Sequence, residues 1–155
     1  MNLEVYLTGK IKSRFISEGV EQYIKWIKPY HKIKIISFPL GGSTSAGKDQ
    51  VKRREGERYL KALQNEKNVV VLHERGEELS SIEFATFMEK WQNSGTRKLS
   101  FIIGGPLGFS DDVLSQDWKK LSLSRMTLTH EMALLVLLEQ LYRAETINRG
   151  ITYHY

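Results

Sequence analysis

The tetrapeptide Val69–Leu72 limits what this chain can fold into more than any other feature does. It is wholly apolar and rich in β-branched residues, a composition that is typical of a strand buried on both faces. Such a strand needs a neighbouring strand on each side and helices above and below the sheet. We therefore expect Val69–Leu72 near the centre of a parallel sheet.

Strand-like and helix-like patterns alternate along the chain. They predict a single α/β domain over residues 1–155, with a mostly parallel sheet covered by helices on both faces. The predicted strands are Leu3–Thr8, Lys32–Phe38 near a sheet edge, Val69–Leu72, Leu99–Ile103 and Leu121–Ser124. The predicted helices cover Phe15 to Ile27, Val51 to Leu63, a capped segment from Ser80 to Asn93, Asp111 to Leu114, and a last helix capped by Thr127 or Thr129. The polar residues His73–Gly76 are expected to form a turn, and Leu40–Asp49 an exposed, mobile loop.

Composition narrows the chemistry and the compartment. The chain has no cysteine, which excludes disulfide bonds, thiolate metal sites and a thiol nucleophile, and suits a reducing compartment. No targeting segment is expected, and the apolar stretch Met132–Leu138 is far shorter than the roughly 20 residues that cross a bilayer. We therefore expect a cytoplasmic protein with no membrane contact. The 23 Lys and Arg residues exceed the 18 acidic ones, and the formal charge of +5 suits a polyanionic partner.

The last predicted helix is apolar almost all round, from Met132 to Tyr142. A helix that covers one sheet face needs only one apolar side, so a second apolar side indicates a partner. We expect a homodimer that forms through Leu134–Leu141. The alternative is a fully enclosed central helix, which a chain of this size covers less easily.

Two segments near the carboxyl terminus are rich in groups that can contact a ligand. Gly104–Gly108 follows a predicted strand, and its glycines let the backbone approach a ligand closely, although a tight turn uses the same residues. Leu121–His130 places hydroxyl groups and free amides on one rim, which suits an adenine and a ribose. A strand, a turn and a helix cap would use the same residue types.

Several familiar sites are absent from the sequence. Neither G-x-G-x-x-G nor G-x-x-x-x-G-K-[ST] occurs, which disfavours the usual nucleotide-phosphate sites. No ligand spacing typical of a metal site is present, so no metal is expected. A serine hydrolase has no support because the G-x-S-x-G elbow is missing. His130 is either a structural hydrogen bonder or a base, and Arg143 and Tyr153–Tyr155 are candidates for substrate contact.

Taken together, four ordered segments resemble the ribosomal large subunit methyltransferase H family of small SPOUT-class methyltransferases. The segments are Ile103–Gly108, Leu121–His130, Leu138–Ala144 and Gly150–His154. The resemblance implies an S-adenosylmethionine-dependent enzyme that methylates N3 of a pseudouridine in large-subunit ribosomal RNA, on the assembled ribosome. It also implies a carboxyl-terminal trefoil knot, and a homodimer whose active site is completed across the interface.

The resemblance also implies which residues bind the cofactor and which act on the target base. S-adenosylmethionine is expected to contact Leu72, Gly104, Gly105, Leu123, Ser124, Arg125, Met126, Thr127 and Leu128. N3 must lose its proton before it attacks the methyl group, so a base or an anion-stabilising group must lie nearby. The residues that match this requirement are Arg143, His154, His130 and Tyr153.

Two departures from the family pattern keep a second hypothesis open. Many relatives carry an arginine at the position of Leu134 and a terminal lysine at the position of Tyr155. Loss of these charges would fit a non-catalytic RNA- or ribosome-binding module of the same fold. A third hypothesis, a nucleotide-dependent enzyme of ordinary doubly wound fold, is disfavoured by the missing phosphate loops.

Overall fold

The computed structural model describes all 155 residues. The strands are β1 (Asn2–Thr8), β2 (Lys32–Phe38), β3 (Val69–Glu78), β4 (Lys98–Ile103) and β5 (Lys119–Ser122). The helices are α1 (Arg14–Ile27), α2 (Lys48–Ala62), α3 (Ser81–Asn93), α4 (Asp111–Leu114) and α5 (His130–Arg149), with a 3-10 turn at Thr44–Ala46. No helix is both long enough and apolar enough to span a membrane.

The five strands form one sheet in the order β2-β1-β4-β3-β5, and every strand pairing is parallel. Parallel neighbours need crossover connections, which helices supply in this chain. The α/β class with a parallel sheet is therefore confirmed. β2 lies at an edge, as its half-solvated pattern predicts, and β3 has a neighbour on each side.

Helices cover both faces of the sheet. α1, α3 and α5 pack on one face against Val70 and Leu72, whereas α2 and α4 pack on the other against Val69 and Val71. Successive side chains of a strand point to opposite faces, and both faces of β3 are covered. This explains why Val69–Leu72 is apolar at every position.

Four leucines of the predicted dimer face Leu134–Leu141 cannot contact a second chain, whereas Leu135 and Val136 stay half-buried. Homodimerisation through this helix stays a prediction. Leu134, Leu137 and Leu138 are 0% exposed within one chain and Leu141 is 1% exposed, because α5 packs between α1 and α3. The alternative of an enclosed helix is thus correct for these four leucines but not for α5 as a whole, which keeps Leu135 and Tyr142 half-buried at the surface. A buried position cannot present a charge to RNA, so the departure at Leu134 has no bearing on RNA contact.

One apolar strip remains at the surface, and we name it the outer stripe. It consists of Phe15, Gly19, Tyr23 and Trp26 of α1 with Leu135 and Tyr142 of α5. Phe15 is 66% exposed and Trp26 is 39% exposed. A Cβ on Gly19 would lie 2.8 Å from Leu135 Cδ1, so this glycine permits the close approach of the two helices.

The predicted ends of two strands, β3 and β5, differ from the structure. His73–Gly76 does not end β3: Leu72 and Glu77 both pair with Leu121, so residues 73–76 form a bulge and the strand resumes to Glu78. β5 ends at Ser122 rather than Ser124 because Ser122 Oγ donates to the Ser124 carbonyl at 2.9 Å, which turns the chain away from the sheet.

Helix ends follow the sequence signals closely. Ser80 and Glu83 form the predicted capping box of α3, and Gly95 follows that helix with φ of +75°. Thr129, rather than Thr127, caps α5 by accepting a hydrogen bond from the Met132 amide at 3.2 Å.

A buried polar network joins His31, just before β2, to α3 and α5. Glu145 Oε1 lies 2.6 Å from His31 Nε2 and accepts from Gln92 Nε2 at 2.5 Å, while Oε2 accepts from Arg149 Nε at 3.0 Å. Burial alone would raise the pKa of Glu145, but the hydrogen bonds from His31 and Arg149 outweigh it and lower the pKa to about 2.

Glu145 is expected to make the fold sensitive to acid. Its pKa in the folded state lies below the ordinary value of 4.5, so its contribution is present above that pH and is lost as the pH falls toward 2. The loss is at most about 3 kcal/mol of unfolding free energy. Denaturant titrations between pH 6 and pH 2.5 should show a flatter pH dependence for Glu145→Gln than for the native chain. The exposed control Glu57→Gln should keep the native dependence; an equally steep profile for both variants contradicts the prediction.

Candidate functional site

A cavity of about 650 Å³ opens at the carboxyl end of β4 and beside the middle of β3, where residues 73–76 leave the ladder. Its walls are the Gly104–Gly108 loop, the β3 bulge, residues 123–129 and the start of α5. The structure brings eight of the nine predicted cofactor residues to these walls, namely Leu72, Gly104, Gly105, Leu123, Ser124, Met126, Thr127 and Leu128. Arg125 lies outside the cavity, where its side chain is 86% exposed and pairs with Glu78 at 3.2 Å.

The Gly104–Gly108 loop is both a tight turn and a cavity wall. The Gly108 amide donates to the Gly105 carbonyl at 2.9 Å, and Gly108 has a φ of +82°, which favours glycine. A Cβ on Gly104 would lie 3.2 Å from the Phe109 ring, and one on Gly105 would lie 3.1 Å from Thr8 Cγ2. Packing behind the wall therefore disfavours a side chain at these two positions.

Most hydroxyl groups of residues 122–129 form hydrogen bonds with nearby backbone groups. Ser124 Oγ accepts from the Met126 amide at 2.9 Å, and Thr129 caps α5. Thr127 differs, because its hydroxyl donates to Glu74 Oε2 at 2.7 Å. This bond joins residues 123–129 to the β3 bulge at the exposed mouth of the cavity.

The chain as a whole is positively charged, but the cavity walls carry negative charge. Glu74 and Glu131 contribute carboxylates and His73 and His130 contribute imidazoles, whereas none of the 19 lining residues is Lys or Arg. No three His, Asp or Glu side chains of the chain are grouped closely enough to hold a metal ion. Such walls favour a cationic or neutral ligand over a phosphate.

His130 and Glu131 tie the start of α5 to α1. Glu131 accepts from the Ser13 amide at 3.0 Å and from the Lys12 amide, which holds the chain just before α1 against the start of α5. These hydrogen bonds lower the pKa of Glu131. His130 Nε2 lies 3.1 Å from the Lys10 carbonyl and donates to it, so His130 acts as a hydrogen bonder at the cavity edge.

The other predicted catalytic residues, Arg143, Tyr153 and His154, meet Glu139 in what we name the carboxyl-terminal cluster. Arg143 Nε donates to Glu139 Oε1 at 3.0 Å, and its guanidinium lies 4.7 Å from the centre of the Tyr153 ring. Arg143 Nη1 lies 3.1 Å from His154 Nδ1, and the Tyr153 hydroxyl donates to Glu139 at 3.1 Å. Glu139 was not among the predicted site residues, although its position four residues before Arg143 is a known signal for an ion pair on a helix.

The surroundings of Arg143 and Tyr153 determine which of these side chains carries a charge at neutral pH. The hydrogen bond from Arg143 to Glu139 raises the pKa of the guanidinium, which stays charged. Burial, a hydrogen bond with Tyr23 and the negative charge of Glu139 raise the pKa of Tyr153. The Tyr153 phenol therefore keeps its proton at neutral pH and is no base. His154 Nδ1 faces the Arg143 donor, so in that contact it acts as an acceptor.

The cavity and the carboxyl-terminal cluster are far apart within one chain. His130 lies at the first residue of α5 and lines the cavity, but Arg143, Tyr153 and His154 do not. At about 1.5 Å of rise per residue, Arg143 lies about 20 Å farther along the helix than His130. One chain alone thus does not bring all the predicted site residues together.

Comparison with known proteins agrees with the geometry and confirms the resemblance seen in the sequence. A family model described as "Predicted SPOUT methyltransferase" matches residues 1–154. A Kosmotoga olearia protein named ribosomal RNA large subunit methyltransferase H is 85% identical over 155 residues, which cover 100% of both chains. Proteins of the same name from Symbiobacterium thermophilum and Geotalea daltonii are 42% and 41% identical over at least 99% of each chain. This chain therefore belongs to the SPOUT methyltransferase family.

Proposed function

We propose that this protein methylates N3 of a pseudouridine in large-subunit ribosomal RNA, with S-adenosylmethionine as the methyl donor. Its site of action would be the assembled ribosome in the cytoplasm. One observation carries the proposal. The chain belongs to the SPOUT family and is basic overall, yet its cavity is lined by carboxylates and by no Lys or Arg side chain. The names of the similar proteins support the ribosomal RNA substrate. The trefoil knot stays a prediction.

The residues of the cavity fit S-adenosylmethionine. A volume of about 650 Å³ lies within the range of roughly 300–1,000 Å³ that is usual for small-molecule sites. Leu72, Leu123 and Leu128 offer apolar surface to an adenine, and the backbone of Gly104–Gly108 offers hydrogen-bonding groups. When bound, S-adenosylmethionine supplies an electrophilic methyl group on a positively charged sulfur.

The carboxyl-terminal cluster suits activation of the target base. Loss of the N3 proton leaves a negative charge on the base, and a fixed cation stabilises that charge most effectively where it needs no rearrangement. Glu139 and the Tyr153 ring hold the Arg143 guanidinium in place. With Nδ1 of His154 accepting from Arg143, the neutral imidazole carries its proton on Nε2, from which it can donate to a carbonyl oxygen of the base.

A homodimer would unite the two parts of the site. The outer stripe runs directly into the carboxyl-terminal cluster, because the rings of Trp26 and Tyr142 are 5.2 Å apart and those of Tyr142 and Tyr153 are 4.9 Å apart. Exposed aromatic surface of this kind is typical of protein interfaces. Pairing of two outer stripes would bring the cluster of one protomer toward the cavity of its partner.

Phe15→Asp is expected to convert the dimer into monomers. Phe15 is 66% exposed in a single chain, so the substitution spares the fold but would place an unpaired charge in the interface. Sedimentation velocity measures the result. The control Ile82→Asp changes a residue of α3 that is 58% exposed and outside the outer stripe, and it should remain dimeric. A Phe15→Asp protein that sediments like the native dimer contradicts this interface.

The activity is tested with ribosomes from cells that lack the modification. The protein is incubated with these ribosomes and with S-adenosylmethionine labelled in its methyl group, and mass spectrometry locates the modified base. Methylation at N3 of one pseudouridine supports the proposal. Binding to ribosomes without methyl transfer, together with no heat of binding at millimolar S-adenosylmethionine, would instead favour the non-catalytic module.

A further inference from the structure

The two carboxylates of the cavity wall are not equivalent. Both oxygens of Glu131 are occupied, since Oε1 accepts from the Lys12 and Ser13 amides and Oε2 accepts from Ser13 Oγ. Glu74 makes one hydrogen bond, from Thr127 to Oε2, and its Oε1 has no partner in the chain. Glu74 is therefore the cavity carboxylate that is free to bind a ligand.

Glu74 also differs from the other glutamates of β3. Glu77 forms an ion pair with Lys119, and Glu78 pairs with Arg125 at 3.2 Å. Glu74 forms no ion pair, although the chain carries a formal charge of +5. A negative charge that no basic side chain of the protein neutralises lies at the mouth of the cavity.

The β3 bulge places this charge and holds it there. Residues 73–76 leave the ladder between Leu72 and Glu77, which turns His73 and Glu74 toward the cavity. Gly76 makes the bulge possible, because a Cβ at this position would lie 2.6 Å from the Leu121 backbone. The Thr127 hydroxyl then fixes the carboxylate at 2.7 Å. Bulges of this kind commonly redirect a side chain beside an active site.

We infer that Glu74 supplies the negative charge that binds the positively charged sulfur of the methyl donor, an inference that rests on the proposed function. S-adenosylmethionine carries this charge, whereas the sulfur of the product S-adenosylhomocysteine is neutral. A carboxylate beside the sulfur stabilises the donor and gives little to the product. Glu74 thus determines the preference of the cavity for donor over product and favours release of the product after each turnover.

Isothermal titration calorimetry with S-adenosylmethionine and S-adenosylhomocysteine tests this role without measuring activity. Glu74→Gln removes the charge but retains an oxygen that can accept from Thr127. We expect it to weaken donor binding about tenfold, as a partly solvated ion pair should, and product binding less than about twofold. Glu74→Asp keeps the charge and should preserve most of the native preference. The exposed control Glu89→Gln, on α3, should bind both compounds like the native protein.

The outcomes separate this inference from the proposed function. A Glu74→Gln protein that binds donor and product with the native ratio of affinities overturns the role of Glu74. So does an equal loss for both compounds, because it would indicate a contact with a part of the molecule that the two share. A native protein that binds neither compound contradicts the proposed function itself.

Discussion

Arg143→Ala is expected to lower the rate of methyl transfer by about 10²–10³-fold, the usual effect of removing one preorganised group that stabilises developing negative charge. The affinity for S-adenosylmethionine should stay at the native value, because Arg143 lies outside the cavity. Single-turnover assays on unmodified ribosomes measure the first quantity, and calorimetry measures the second. Unchanged turnover would remove Arg143 from the chemistry.

Arg143→Lys is the matched variant for the geometry of the cluster. Lysine keeps the positive charge but lacks the planar fork that contacts Glu139, His154 and the Tyr153 ring together. Its rate should fall between those of the native protein and Arg143→Ala. A fully native rate would show that charge alone is sufficient and that the hydrogen bonds around the guanidinium do not contribute.

Mixing two inactive variants tests whether the site is shared between protomers. Thr127→Trp is designed to block the cavity, since an indole would fill the space where Thr127 meets Glu74. In a mixed dimer with Arg143→Ala, one site would combine an intact cavity with an intact cluster, and activity should return. If each site were built from one chain, both protomers would carry a defect and the mixture would stay inactive.

Much of the fold could be predicted from local pattern. The period of the apolar residues and the caps at Ser80 and Thr129 depend on neighbours in sequence, and these predictions are confirmed. The β3 bulge was missed because His73–Gly76 has the polar, glycine-ended composition of a turn. Only the pairing of Leu72 and Glu77 with the same residue of β5 distinguishes the two.

The site could be predicted only in part because several of its contacts are long-range. The carboxyl ends of parallel strands meet at one sheet edge, which is why Leu72 and Gly104 line one cavity. Glu131, by contrast, binds backbone amides that lie more than a hundred residues earlier in the chain. No local pattern indicates that contact, nor the hydrogen bond of Thr127 to Glu74 that leaves one carboxylate oxygen free.

Leu137→Asp is expected to unfold the protein. Leu137 is 0% exposed inside a single chain, so aspartate would lose the buried leucine contacts and place an unpaired charge in the core. Loss of the leucine contacts alone costs about 2–5 kcal/mol, and the buried charge adds several more. The sum is comparable to the roughly 5–15 kcal/mol of stability that a whole domain possesses. Far-UV circular dichroism and denaturant titration should show little native protein.

Phe15→Asp makes the same chemical change on the outer stripe and should leave a folded monomer. The pair of variants therefore separates the two functions that an apolar residue on these helices can have, packing inside one chain or binding a second. A Leu137→Asp protein that keeps native helix content and unfolds at the native denaturant concentration, but sediments as a monomer, would return Leu137 to the dimer interface. That result would contradict the conclusion that Leu137 packs inside one chain, where α5 lies between α1 and α3.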